Sequence, residues 1–103
     1  MAGGSAVDFA YLEGFAQGDR TVISEVFEIF LQQAAIWAPK LDAAASDLKA
    51  TAHTIKGAAR GVGAYALGDA AAEVEADGPG ALEQLRRALA EAVAEVEAYR
   101  ARG

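Results

Sequence analysis

The chain has 103 residues, a formal net charge of −6 and no cysteine, and 53% of its residues are hydrophobic. This length suits one domain, and we expect residues 1–103 to form it. The absence of cysteine excludes disulfides and thiol chemistry, and the acidic balance argues against nucleic acid as a partner. Alanine supplies much of the hydrophobic content and strand-favouring residues never alternate, so the composition predicts an all-helical protein.

The chain carries no sign of export or membrane insertion. No apolar run approaches the roughly 20 residues that a membrane-spanning helix needs. Residues 1–5 (MAGGS) lack the basic start and apolar stretch of a signal peptide. We therefore expect no membrane partner and a soluble, cytoplasmic protein, and the absence of a visible linker favours one that stands alone.

A short helix is predicted near the start of the chain. Residues 3–5 give a loose start, after which Asp8 is a candidate N-cap. The apolar positions of this helix are Phe9, Leu12 and Phe15. Gly18 then closes the segment, because glycine commonly follows the end of a helix.

A long second helix follows, with Asp19 as its candidate N-cap. It is expected to run from Arg20 to about Ala44, because apolar residues recur there every three or four positions. Pro39 lies inside the pattern and should kink this helix without ending it, since Leu41 continues the stripe. The stripe consists of Ile23, Val26, Phe27, Phe30, Ala34, Trp37 and Leu41. A second apolar face, either buried or available for docking, consists of Val22, Ile29 and Ile36.

Three more helices are predicted from apolar spacing and turn residues. They cover about 47–61, with Ser46 as candidate cap, then 65–74, and 82–96 after the strong turn signal at 77–80 (DGPG). The acidic residues on the outside of the last helix are expected to be solvated: Glu91, Glu95 and Glu97. Together the helices predict an all-α fold, an antiparallel four-helix bundle with a short additional N-terminal helix.

The third helix carries an unusual group of residues beside its apolar stripe. Lys49, His53, Lys56 and Arg60 are spaced by four, three and four residues, so they share one face. His53 is the single histidine of the chain, and Gly57 follows it by one helical turn. A glycine in mid-helix costs about 0.5–1 kcal/mol relative to alanine. We expect its benefit to be space, which lets a bulky partner reach the imidazole.

This combination suits the transfer of a phosphoryl group to nitrogen. A neutral imidazole is the nucleophile, and Lys56 can bring an ammonium group to the transferring oxygens. Lys49 and Arg60 are expected to extend the positive field as a supporting basic patch.

The residues 53–57 (HTIKG), followed by Gly63–Ala64 and Leu67, resemble the HxxKG and GAxxL motif of the histidine phosphotransfer (HPt) family. The pair Val74–Glu75 is similar to the usual end of the next helix. Arg60 departs from the family, which has a small or neutral residue there. The resemblance covers most of the chain, but its specific part spans about residues 52–75.

The resemblance implies a function for each residue of the motif. His53 is expected to accept the phosphoryl group, through Nε2, while Lys56 steadies the group and Gly57 leaves room for it. The implied partners are response-regulator receiver domains and a hybrid or sensor histidine kinase in a two-component phosphorelay. No cofactor or bound metal is expected, because the receiver domain supplies Mg²⁺.

Plainer interpretations remain open. A lone histidine on a helix is usually packed or solvated, and a Lys–Arg stripe is often an ordinary soluble face. Asp69 and Glu73 lie one turn apart, but a metal site is not expected with one histidine and no cysteine.

Two other functions compete with the phosphoryl carrier. The first is an adaptor bundle that binds receiver-like proteins without chemistry. The second is a dimerisation and phosphotransfer domain of the kinase type, but the chain already has four helices, so we expect a monomer. No glycine-rich phosphate loop is present, so we expect neither an ATP site nor autonomous kinase activity.

Overall fold

The computed structural model describes residues 6–102, so the loose start expected at residues 3–5 lies outside the described part. Its α-helices are α1 (Phe9–Phe15), α2 (Arg20–Trp37), α3 (Leu48–Gly61), α4 (Tyr65–Asp77) and α5 (Leu82–Arg102). The last four form an antiparallel bundle in which α2 contacts α3, α3 contacts α4, α4 contacts α5, and α5 contacts α2. The predicted all-α bundle with a short leading helix is therefore confirmed.

The core is built from the apolar stripes of these helices. Its largest fully buried side chains are those of Phe27, Leu12, Ile55, Leu67, Leu85, Val7, Val74 and Val96. Small alanine side chains, including Ala52, Ala59 and Ala71, fill the space where the helices approach one another. Since these stripes turn inward, the polar positions of α3 and α4 are left on the outside of the bundle. Within residues 6–102, no helix combines the length and the apolar character required to span a membrane.

The end of α2 differs from the prediction. The expected helix to about Ala44 stops at Trp37, and residues 38–40 form a 3₁₀ turn. Pro39 has no N–H to donate to the carbonyl four residues back, and its ring crowds that carbonyl, so the α-helix cannot continue. The backbone leaves helical geometry at Leu41, which has φ −82° and ψ 74°. Leu41 is nevertheless buried, as expected from the stripe.

The helix caps follow the prediction at two of three positions. Asp8 accepts a hydrogen bond from the N–H of Tyr11, and Asp19 accepts one from the N–H of Thr21. The expected cap at Ser46 is wrong. Asp47 is the N-cap of α3, because its carbonyl accepts the first helical bond, from the N–H of Thr51 at 2.9 Å.

The segment before α1 is tied to the end of the bundle. The N–H groups of Ala6 and Val7 donate to the carboxylate of Glu95, at 2.7 and 3.1 Å. The expectation that Glu95 is merely solvated is therefore wrong. The N–H of Asp8 donates to the carbonyl of Gly63 at 2.8 Å. Gly63 has φ +83°, and a Cβ there would lie 2.9 Å from the carbonyl oxygen of Asp8, so this close approach requires glycine.

Candidate functional site

His53 projects from the outside of α3. Its neighbours Ala52 and Ile55 are buried in the core, and helical geometry then turns position 53 outward. The His53 side chain is 70% exposed. The sequence-based placement of this imidazole at the surface is confirmed.

The exposed imidazole is anchored by a carboxylate from the neighbouring helix. His53 Nδ1 lies 2.8 Å from Oε2 of Glu75 on α4. The other oxygen of the same carboxylate, Oε1, lies 2.6 Å from Nζ of Lys56. Glu75 thus joins the imidazole and the ammonium group, and it fixes both relative to the α3–α4 pair.

The ionisation of Glu75 determines which nitrogen of the imidazole carries the proton. The hydrogen bond from Lys56 is the main cause that lowers the pKa of Glu75, and the hydrogen bond from His53 adds to it against the opposing effect of desolvation. An ionised carboxylate can only accept hydrogen bonds, so Nδ1 carries the proton and donates a hydrogen bond to Glu75. In the neutral ring, Nε2 is then the nitrogen with the free lone pair.

The approach to this face of α3 is open. A Cβ placed on Gly57, one turn beyond His53, would meet no atom within 4 Å. This observation agrees with the prediction that glycine keeps space at this position.

The Lys56 side chain is partly covered by the neighbouring helix. It is only 27% exposed, because its chain lies along the α3–α4 interface and its ammonium group pairs with Glu75. From the sequence, Glu75 is recognisable only as part of the end of the next helix, and its contact with His53 and Lys56 is not predicted. The antiparallel pairing of α3 and α4 could have indicated this contact. Position 53 lies about as far before the turn at 62–64 as position 75 lies after it.

The supporting basic patch is more dispersed than predicted. Arg60 turns toward α4, where its Nη2 lies 3.5 Å from Oδ1 of Asp69. Its side chain covers Gly68, at which a Cβ would lie 2.9 Å from Arg60 Cγ. Lys49 is exposed near the start of α3. Of the four predicted basic or imidazole residues, the structure therefore joins only His53 and Lys56.

The second apolar face of α2 is exposed. Ile29 and Ile36 are 59% and 52% exposed, and Val22 lies on the same side of the helix. A groove of about 300 Å³ separates α2 from α3 beside this face, and its lining includes Ile29, Phe30, Trp37, Ala58 and Val62. The structure thus supports the alternative in which this face is available to a partner.

Across residues 6–102, no group of three or more His, Cys, Asp or Glu side chains is arranged to hold a metal ion. Asp69, considered above as a ligand together with Glu73, instead pairs with Arg60.

Comparison with known proteins assigns the family. The family model of the Hpt domain matches residues 22–99. The crystal structure of histidine phosphotransferase ShpA from Caulobacter crescentus is similar to this chain, with 51% sequence identity and a TM-score of 0.89. The similarity covers 95% of this chain and 93% of that chain. No curated protein matches the chain significantly. Since the family model spans more than half of its length, the chain belongs to the Hpt domain family.

Proposed function

We propose that this phosphorelay protein carries the phosphoryl group on Nε2 of His53, between aspartates of receiver domains. The histidine phosphotransfer function follows from the family, and the residue-level assignment is the proposal. One observation carries it: Glu75 holds Nδ1 of an imidazole that is 70% exposed, so Nε2 is the free nucleophile. The open space at Gly57 lies beside this imidazole.

The proposed step is a displacement at phosphorus. The lone pair of Nε2 forms the new P–N bond while the P–O bond to the receiver aspartate breaks, and the aspartate leaves as a carboxylate. The imidazole keeps its proton on Nδ1 and becomes positively charged as the bond forms. Glu75, ionised and 2.8 Å from Nδ1, stabilises that charge. The reverse transfer to another receiver uses the same geometry.

Lys56 contributes the positive charge nearest to His53. Its ammonium group is paired with Oε1 of Glu75 at 2.6 Å, which holds it beside the imidazole before the partner arrives. A cation at this place stabilises the charge on the equatorial oxygens of the transferring group. Lys49 and Arg60 act at longer range, where salt screens their contribution.

The receiver domain is proposed to dock across α2 and α3. Ile29 lines the groove between α2 and α3, and the exposed Val22 and Ile36 lie on the same side of α2. On α3, Gly57 leaves open space one turn from His53. An exposed apolar patch next to this open space suits a globular partner. The receiver would supply the aspartate and its Mg²⁺, and this chain would supply the nucleophile.

The wider setting is also part of the proposal. Membership of the Hpt family places the chain among the partners of a two-component phosphorelay. We propose receiver domains and a hybrid or sensor histidine kinase as those partners, in the cytoplasm. We further propose that the chain is a carrier without kinase activity of its own.

Intact mass spectrometry tests the central claim. The wild type and His53→Gln are incubated with a phosphorylated receiver domain and Mg²⁺. The expected result is one added phosphoryl group, labile in acid and stable in alkali, on the wild type alone. Equal labelling of His53→Gln would refute the assignment of the residue. A wild type that binds receivers without any uptake would instead support the adaptor function.

A second pair of variants tests Lys56. Lys56→Ala is expected to slow transfer by about 10- to 100-fold, since one charge-stabilising group is typically worth that much or more. Lys40→Ala changes the net charge equally but lies in the 3₁₀ turn after α2, so it should transfer at the wild-type rate. Equal rates in Lys56→Ala and Lys40→Ala would remove Lys56 from the mechanism.

A further inference from the structure

The bundle has a second open groove, between α2 and α5. It has a volume of about 510 Å³. Its apolar walls are formed by Leu31, Ala34 and Ala35 of α2 and by Ala90 and Val93 of α5. The phosphotransfer site uses α3 and α4, which form the opposite edge of the bundle. This groove therefore has no part in the function proposed above.

The edge of α5 that borders the groove has a symmetric order of charges. Its residues are spaced by three and four, which places them along one side of the helix. In chain order they are Glu83, Arg86, Ala90, Val93, Glu97 and Arg100. When the same row is reversed, each acidic residue faces a basic one, and the two small apolar residues face each other. A second copy of α5 in antiparallel orientation is thus complementary to the first.

We propose that the α2–α5 face binds a second copy of this chain. The two α5 helices run antiparallel. The two-fold axis crosses them midway along this row, at the height of residues 91 and 92, which themselves face away from the contact. In this arrangement Arg86 faces Glu97 of the other copy, and Glu83 faces its Arg100. Each contact occurs twice, as the symmetry of a two-fold dimer requires.

The apolar part of the contact lies at the centre of this arrangement. Ala90 and Val93 of each copy meet near the two-fold axis and fill part of the other copy's groove. Both copies bring small side chains, so the two helices can approach closely. The charged pairs lie outside this apolar centre, which is the usual arrangement of a protein interface.

The ion pairs along this edge are weak, although Arg86 also donates to the carbonyl of Leu41. Glu83 and Arg86 of the same chain are 3.7 Å apart, and Arg100 lies 3.6 Å from Glu28. Both are long pairs between exposed side chains, which contribute little. Among residues 6–102, no ion pair involves Glu97. Association therefore replaces these weak internal pairs by pairs between the copies, and it gives Glu97 a partner.

The size of the face sets the expected strength. From Glu83 to Arg100 the helix rises about 25 Å, and two adjacent helices are about 20 Å wide. The contact thus covers roughly 500 Å² of each copy, less than the 800 Å² typical of stable complexes. We expect a reversible dimer with a dissociation constant on the order of 100 µM. The sequence-based expectation of a monomer considered only the number of helices, and it left this surface out.

The dimer would leave the phosphotransfer chemistry accessible. His53 lies on the edge formed by α3 and α4, so it stays exposed in both copies. A dimer of this kind presents two phosphoryl acceptors on opposite sides. Its existence does not depend on the residue-level assignment of His53.

Sedimentation equilibrium of the full chain tests the proposal, with samples from about 10 µM to about 1 mM to bracket the expected constant. Glu97→Arg places like charges opposite each other twice, and it should weaken the dimer about tenfold or more. The double variant Arg86→Glu with Glu97→Arg restores both pairs and should associate like the wild type. Glu91→Arg is the matched control, because it makes the same charge change on the outer side of α5.

The outcomes separate clearly. A wild type that remains monomeric at about 1 mM overturns the proposal, since the expected constant lies well below that concentration. Equal weakening by Glu97→Arg and Glu91→Arg also overturns it, because only net charge would then matter. An equimolar mixture of Arg86→Glu and Glu97→Arg should form a mixed dimer, since both charge pairs are present in that combination.

Arg86 also donates to the carbonyl of Leu41 at 3.0 Å. The circular dichroism of each variant is therefore compared with the wild type, and Glu97→Arg decides the result.

Discussion

Replacing Gly57 by leucine should make the protein more stable and almost inactive. Gly57 lies inside α3, and a Cβ there meets no atom within 4 Å, so a side chain causes no clash in the folded protein. Leucine is a strong helix former, whereas glycine costs about 0.5–1 kcal/mol in a helix. The free energy of unfolding should rise by about that amount. In a domain of this size, the melting temperature then rises by roughly 2–8 °C.

The same side chain should obstruct phosphoryl transfer. The leucine would stand one turn from His53, on the outward side of α3 where the receiver aspartate must arrive. Reacting atoms must come within about 3–3.5 Å of each other, and a displacement of about 1 Å can cost 100-fold in rate. We therefore expect kcat/KM for transfer from a phosphorylated receiver to fall by at least about 100-fold.

The two measurements are thermal unfolding and the rate of phosphoryl uptake. Gly14→Leu is a suitable control, because Gly14 is also exposed in a helix with no atom within 4 Å, but it lies on α1. This control should transfer at the wild-type rate. If Gly57→Leu were stabilised and still transferred normally, the space at Gly57 would have no part in the reaction. A loss of stability would contradict the open surroundings seen in the structure.

Three further predictions concern residues around and behind the site. Ile55→Ala should lower the free energy of unfolding by about 2–5 kcal/mol, as a truncation in the core, while the folded fraction still takes up phosphoryl groups; unchanged denaturant unfolding would contradict its burial. For Glu75→Gln, the deficit in stability relative to wild type should be present at neutral pH. It should shrink as the pH falls below about 4.5, since the lowered pKa of Glu75 stabilises the fold only while the carboxylate is ionised; a deficit that grows in acid would be inconsistent with this. Glu95→Ala should cost about 1–3 kcal/mol through its two backbone hydrogen bonds, with transfer unaffected, and thermal unfolding at neutral pH measures it.

Much of the site could be predicted because one helix carries it. The spacing of Ala52, Ile55 and Ala59 defines the buried side of α3, and the outward position of His53 follows from helix geometry alone. Gly57 was informative because a helix interior disfavours glycine unless something else requires it. These are local properties, and a single sequence contains them.

The contacts between helices were harder to predict. Glu75 reaches His53 and Lys56 across two helices, and the apolar pattern does not say which oxygen meets which nitrogen. The two hydrogen bonds to Glu95 join segments that are far apart in the sequence. The end of α2 at Trp37 cannot be placed from the apolar stripe, because the buried Leu41 continues the stripe without continuing the helix.

The placement of the chemistry on α3 and α4 has a consequence for how such a protein can change. His53, Lys56 and Glu75 all lie within one helical hairpin, from Leu48 to Asp77, so the reactive group depends mainly on contacts that are close in sequence. Contacts of this kind form early and at low entropic cost. In the proposed docking, α2 supplies an exposed apolar surface for the partner. Substitutions on the exposed side of α2 can therefore alter the choice of partner while the reactive hairpin keeps its chemistry.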